Sequence, residues 1–88
     1  MKLKYDFAVR EIVGEYVMVP LGAGALAFSG MIATTETGAT LAEALQKEMT
    51  RQELLQLLLD EYEIDEATAA ADLDEFLNQL KQLNLLVE

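Results

Sequence analysis

Carboxylates are the only abundant reactive side chains in this sequence, which holds 16 Asp and Glu against 6 Lys and Arg and has neither histidine nor cysteine. The commonest general base and metal ligand is therefore missing, and no thiolate site or disulfide is available. The densest acidic group is Asp60, Glu61, Glu63, Asp65 and Glu66. A calcium loop needs oxygen ligands at ordered alternate positions around a glycine. Here Tyr62 and Ile64 interrupt and no glycine is present, so the group reads as solvated acids with a helix cap. Asp72, Asp74 and Glu75 sit closely spaced, but without a second set across a cleft they make no acid–base pair. Asp72 stands apart because it borders the apolar stripe at Leu73 and Phe76, where a carboxylate is able to accept from a bound backbone or pair with Arg or Lys. Gly22-Ala23-Gly24 lacks the lysine and following helix of a phosphate loop and reads as a flexible connector. Ser29 has no base to activate it, and no serine stands in the Asp-Ser-Leu setting of a phosphopantetheine carrier. The expectation is a protein with no catalytic residues, no metal and no cofactor.

The formal net charge of -10 points away from nucleic acid and from anionic lipid, since both are bound through clustered Lys and Arg. It supports solubility and attraction to basic partners. Eighty-eight residues suit one domain, 1–88, with one modest core. The first residues, Met1-Lys2-Leu3-Lys4-Tyr5-Asp6, are followed by Arg10, Glu11 and Glu15 instead of an apolar export segment, so a cytoplasmic location is expected.

The elements that would position any site divide at Glu36. Before it, Tyr5, Phe7 and Val9 alternate with Asp6, Ala8 and Arg10, the period of a strand with one buried face. Val13-Gly14-Glu15 supplies a turn, and Tyr16-Val17-Met18-Val19 returns as a second strand until Pro20. From Tyr16 to Thr35 the chain carries no charge. That run has the length of a membrane span, but Pro20, Gly22, Gly24 and Gly30 favour turns and short strands. The loop Leu21 to Ala25 is expected to lead to a brief pairing at Leu26-Ala27-Phe28, and Met31 to Thr34 to form the third strand.

After Glu36 the pattern is helical. Thr35 is a good N-cap for a helix to about Lys47, and Thr50-Arg51-Gln52-Glu53 has capping-box spacing for a second helix ending near Tyr62. Asp65 caps a third, along which Ala69, Leu73, Phe76, Leu77 and Leu80 recur at helical spacing, and Asn84 is able to end it in the left-handed region. Leu85-Leu86-Val87 forms an apolar tail expected to fold back on the core. The fold class is therefore α+β and winged-helix-like, a three-stranded antiparallel sheet followed by three helices.

Binding remains. The third strand is uncharged and leads directly into a helix, which leaves it at the sheet edge without the Lys, Pro or charge that usually blunts one. Either the tail or another copy covers this edge, or an extended peptide adds there as a further strand. Leu54, Leu55, Leu57, Leu58 and Leu59 cover more than one face of the second helix, which fits a helix squeezed between others and also permits self-association as a homodimer.

The order of these elements, with Tyr16-Val17-Met18-Val19-Pro20, Gly30-Met31-Ile32-Ala33-Thr34-Thr35-Glu36-Thr37-Gly38-Ala39 and Asp72-Leu73-Asp74-Glu75-Phe76-Leu77-Asn78-Gln79-Leu80, resembles the PqqD family of recognition elements for ribosomally made, modified peptides. The chain departs from the family pattern at Thr34-Thr35, where Leu-Asn is usual, and at Asn84, where glycine is usual. The resemblance implies a non-catalytic domain that binds the leader of a precursor peptide as a strand and presents the core peptide to a modifying enzyme, often a radical S-adenosylmethionine enzyme. It implies that Met31, Ile32, Ala33 and Thr34 pair with the leader while Asp72, Leu73 and Phe76 line the other wall. Proline at Ile32 is expected to disrupt docking if that amide belongs to the edge. The alternatives are a general interaction adaptor and a winged-helix transcriptional regulator, and for the latter the third helix offers Glu66, Asp72, Asp74 and Glu75 against Lys81 alone.

Overall fold

The computed structural model describes residues 1–27 and 30–88. Strands β2 (Phe7–Ile12) and β3 (Glu15–Pro20) form the expected hairpin, and β4 (Ile32–Thr34) pairs antiparallel with β3, giving the sheet order β2-β3-β4. The expected three helices follow as α2 (Glu36–Ala44), α3 (Arg51–Glu61) and α4 (Glu66–Gln82). No helix among the described residues is long and apolar enough to cross a membrane.

Capping chemistry sets the helix starts. Thr35 accepts from the Gly38 amide at 3.1 Å, and Asp65 from the Thr68 amide at 2.8 Å. Thr50 and Glu53 complete a reciprocal capping box, the Glu53 amide donating to the Thr50 hydroxyl at 3.1 Å and the Thr50 amide to the Glu53 carboxylate at 2.9 Å. At the end of α4, Asn84 takes φ +58°, and the amides of Leu85 and Asn84 donate to the carbonyls of Leu80 and Lys81 at 2.9 and 3.0 Å. This is the paired bond pattern of a left-handed helix stop, which Asn tolerates in place of glycine.

Three parts of the chain depart from the sequence-based expectations. Ala23–Ala27 is a short helix, α1, instead of a connector leading to a strand at Leu26, and the expected strand residue Phe28 and Ser29 lie outside the described residues. Buried Gly24 explains its seating: a Cβ there would come within 2.7 Å of the Tyr5 Cβ and 3.4 Å of the Pro20 Cβ. The first helix of the triplet, α2, stops at Ala44 and not near Lys47. The C-terminal tail folds back as expected, but it does so as a strand, β5 (Leu86–Val87), paired antiparallel with β1 (Lys2–Leu3).

The core lies between one sheet face and the helices, and joins Phe7, Met18 and Ile32 to Leu41, Leu45, Leu54, Leu58, Leu73 and Leu80. Leu54, Leu55 and Leu58 are buried and Leu57 and Leu59 half-buried, so the leucine-rich α3 is packed on more than one side.

The hairpin tip holds a local conflict. Its loop residues Val13 and Gly14 have φ +51° and +79°, the pair of left-handed conformations that a two-residue hairpin turn needs. Glycine adopts this freely, whereas a β-branched residue is disfavoured there. Val13 is 99% exposed and so gains nothing from packing in return. Val13→Asn is expected to raise stability by about 1 kcal/mol, read as a higher urea midpoint with unchanged slope.

Candidate peptide-binding groove

Which backbone groups of β4 are free follows from the hairpin register. Ile12 lies opposite Glu15 across the two-residue turn, and the Leu21 amide donates to the Asp6 carbonyl at 2.9 Å one step beyond the Phe7–Pro20 pair. Bonded pairs alternate along an antiparallel ladder, so Glu15, Val17 and Val19 turn their amides and carbonyls toward β2. Tyr16, Met18 and Pro20 turn theirs toward β4. In the register Tyr16–Thr34, Val17–Ala33 and Met18–Ile32, the amides and carbonyls of Ile32 and Thr34 are therefore spent on β3. Ala33 is the residue of β4 whose amide and carbonyl both point to the unpaired side. The expectation that Ile32 tests the edge is corrected accordingly, because its amide belongs to the inner ladder.

That unpaired side opens onto α4. Between them runs a groove of about 440 Å³, lined by Ala33, Thr34, Thr35 and Thr37 on one wall and Asp72, Glu75, Phe76 and Gln79 on the other. The α4 residues fall at helical spacing and so share one face. A second recess, lined in part by Tyr16, Val17 and Glu36, shares Ala33, Thr34 and Thr35 with the first. Burial and the carboxylates of Glu11 and Glu36 push up the phenol of Tyr16, the residue paired with Thr34 at the end of β4.

The floor is set by Gly38. A Cβ at this position would overlap the Thr34 hydroxyl and approach Phe76 Cδ1 to 3.2 Å, so glycine lets α2 sit against both walls. Thr35 caps α2 at the same place and spends its carbonyl on the Ala39 amide at 2.8 Å. On the far side of α2, the Thr40 hydroxyl and the Tyr62 phenol lie 2.7 Å apart, tying the middle of α2 to the end of α3.

The seven residues singled out from the sequence divide in this geometry. Ala33, Thr34, Asp72 and Phe76 line the groove, with Asp72 half-buried. Met31 precedes β4 and is 61% exposed, while Ile32 is buried with its side chain in the core. Leu73 has no exposed surface, so it supports the wall from beneath and does not line it. Thr35, Thr37, Glu75 and Gln79 were not singled out as wall residues. Glu75 and Gln79 follow Asp72 at the i+3 and i+7 positions of its own face, a signal present in the sequence.

Charge on α4 is unevenly matched. Asp74 takes a two-bond pair from Arg51, Nε to Oδ1 and Nη2 to Oδ2 both at 2.9 Å, and these bonds hold its carboxyl below the usual aspartate range. Among the described residues Asp72 and Glu75 have no such cation. No cluster of described acids is arranged to hold a metal ion.

An open strand edge thus faces a helix across a groove, a geometry able to take an added strand. The sequence pattern described as coenzyme PQQ synthesis protein D (PqqD) matches residues 15–86, and the chain belongs to the PqqD family. No protein of curated function matches the sequence. Two solved structures share the fold. One, described as TbiB1 in complex with the TbiA(beta) leader peptide, is 24% identical with a TM-score of 0.69, covering 98% of this chain and 94% of its own. The other, described as lasso peptide synthetase B1 complexed with the leader peptide, is 18% identical with a TM-score of 0.66, covering 99% and 96%.

Proposed function

We propose that this chain, acting as one recognition domain over 1–88, binds the leader region of a ribosomally made precursor peptide as an added strand on β4 and presents the rest to a modifying enzyme without catalysing a reaction itself. The observation that carries this reading is the outward-facing main chain of Ala33 above a groove walled by Asp72, Glu75, Phe76 and Gln79. Strand addition draws affinity from main-chain bonds and choice from side-chain pockets, and both parts are in place here. Family membership and the two leader-peptide complexes of the same fold support it. The α4 face toward the groove carries acids and no base, which disfavours a DNA-reading helix.

Calorimetric titration with the leader of a precursor encoded beside this chain's gene is expected to give a Kd of about 1 μM or tighter. Hydrogen exchange of the same complex should slow at the Ala33 amide, since that proton acquires a partner only on docking. Binding that leaves Ala33 exchange unchanged would move the site elsewhere, and absence of binding would remove the leader-peptide reading.

A further inference from the structure

Resting on the docking reading above, we infer that the groove selects a peptide carrying Lys or Arg positioned against Asp72 and Glu75, next to an apolar residue that packs on Phe76. Three observations lead there. Asp72 and Glu75 line the same groove as the exposed main chain of Ala33, so a strand added to β4 runs past both carboxylates. Neither acid makes a hydrogen bond or ion pair among the described residues, whereas Asp74 beside them on α4 is held by Arg51 at 2.9 Å. Cations are scarce and several are engaged elsewhere, Arg51 with Asp74, Lys81 with Glu88 and the N-terminal ammonium with Glu48.

Asp72 is already half-buried, and a docked strand would cover it further. A carboxylate covered without a partner is strongly disfavoured, whereas one that accepts from a guanidinium or ammonium gains a charge-assisted bond in a medium of lowered dielectric. The cost of the unpaired state supplies selectivity: peptides with Asp, Glu or an apolar residue at that point are rejected, as well as basic ones being attracted. The opposite wall carries no charged residue, only Ala33, Thr34, Thr35 and Thr37, so discrimination is concentrated on the α4 wall.

The test is selection from a phage-displayed library of random linear peptides on the folded parent chain and, in parallel, on the Asp72→Asn/Glu75→Gln and Glu61→Gln/Glu63→Gln double variants. The second variant loses the same charge at residues that do not line the groove. On the parent, and on the remote variant, enriched peptides should carry a basic residue at a fixed distance from an apolar one. On the groove variant that bias should vanish, and a synthetic peptide from the parent selection should bind it at least about tenfold more weakly. Peptides whose binding is lost with Ala33→Pro but which show no basic position overturn this inference and leave strand docking intact. An equal loss in both double variants overturns it in favour of general attraction to an acidic protein. If no enriched peptide depends on Ala33, the inference falls together with the docking reading.

Discussion

Ala33→Pro is expected to abolish leader binding, a loss of at least about a hundredfold, while leaving the protein folded. Proline lacks the amide proton that Ala33 turns toward the open side, and its ring would occupy the space through which an added strand approaches. The residue before it, Ile32, already has the extended backbone that a following proline prefers. Ile32→Pro is the informative contrast. Its amide is committed to Met18 across the inner ladder and its side chain is buried, so that change should damage the sheet and lower stability as well as binding. Circular dichroism and a thermal melt establish folding, and calorimetry reads affinity. A folded Ala33→Pro protein that binds like its parent would rule out strand addition at this edge.

The second large effect concerns Leu73, which family resemblance places in the binding wall and the structure places in the core with 0% exposure. Leu73→Ala removes buried methyl groups at a site enclosed by other core leucines and is expected to cost about 2–5 kcal/mol. A domain of this size commonly has a total stability of about 5–10 kcal/mol, so the variant should be partly unfolded at moderate urea. Asp72→Asn, one position earlier, should leave the urea midpoint nearly unchanged and weaken peptide binding. If Leu73→Ala melts like the parent yet loses affinity, its side chain must reach the groove after all. The comparison separates a wall residue from the residue that props it.

The caps and the hairpin were legible in the sequence because their chemistry is local. Thr35, Thr50 and Asp65 each need only the amide three residues onward, and Val13-Gly14 closes a turn between neighbours. What escaped sequence reading depends on distant partners. Leu86–Val87 is strand only because Lys2–Leu3 lies alongside, and a two-residue ladder leaves no periodicity to find. The expected pairing at Leu26-Ala27 gave way to a helix where Gly24 allows close contact with Tyr5 and Pro20, a tertiary effect on a weak local preference. The edge itself was readable as an uncharged run, but its facing was not. Which of Met31 to Thr34 looks outward is set by a register that spans the connection from Leu21 to Gly30, and a slip of one residue would exchange the inner and outer sets.

Pro20 bears on how far this edge can be used. Its missing amide would have faced the β4 side opposite Gly30, just where β4 has not yet begun, so the β3–β4 ladder lacks a donor at the next rung beyond Met18 and Ile32. Three residues of strand span only about 10 Å. A template of that length holds one short segment and gives a second sheet too few rungs to climb. Pro20 thus lies where the ladder stops, and the uncharged edge that results is short, which limits the room for edge-to-edge pairing.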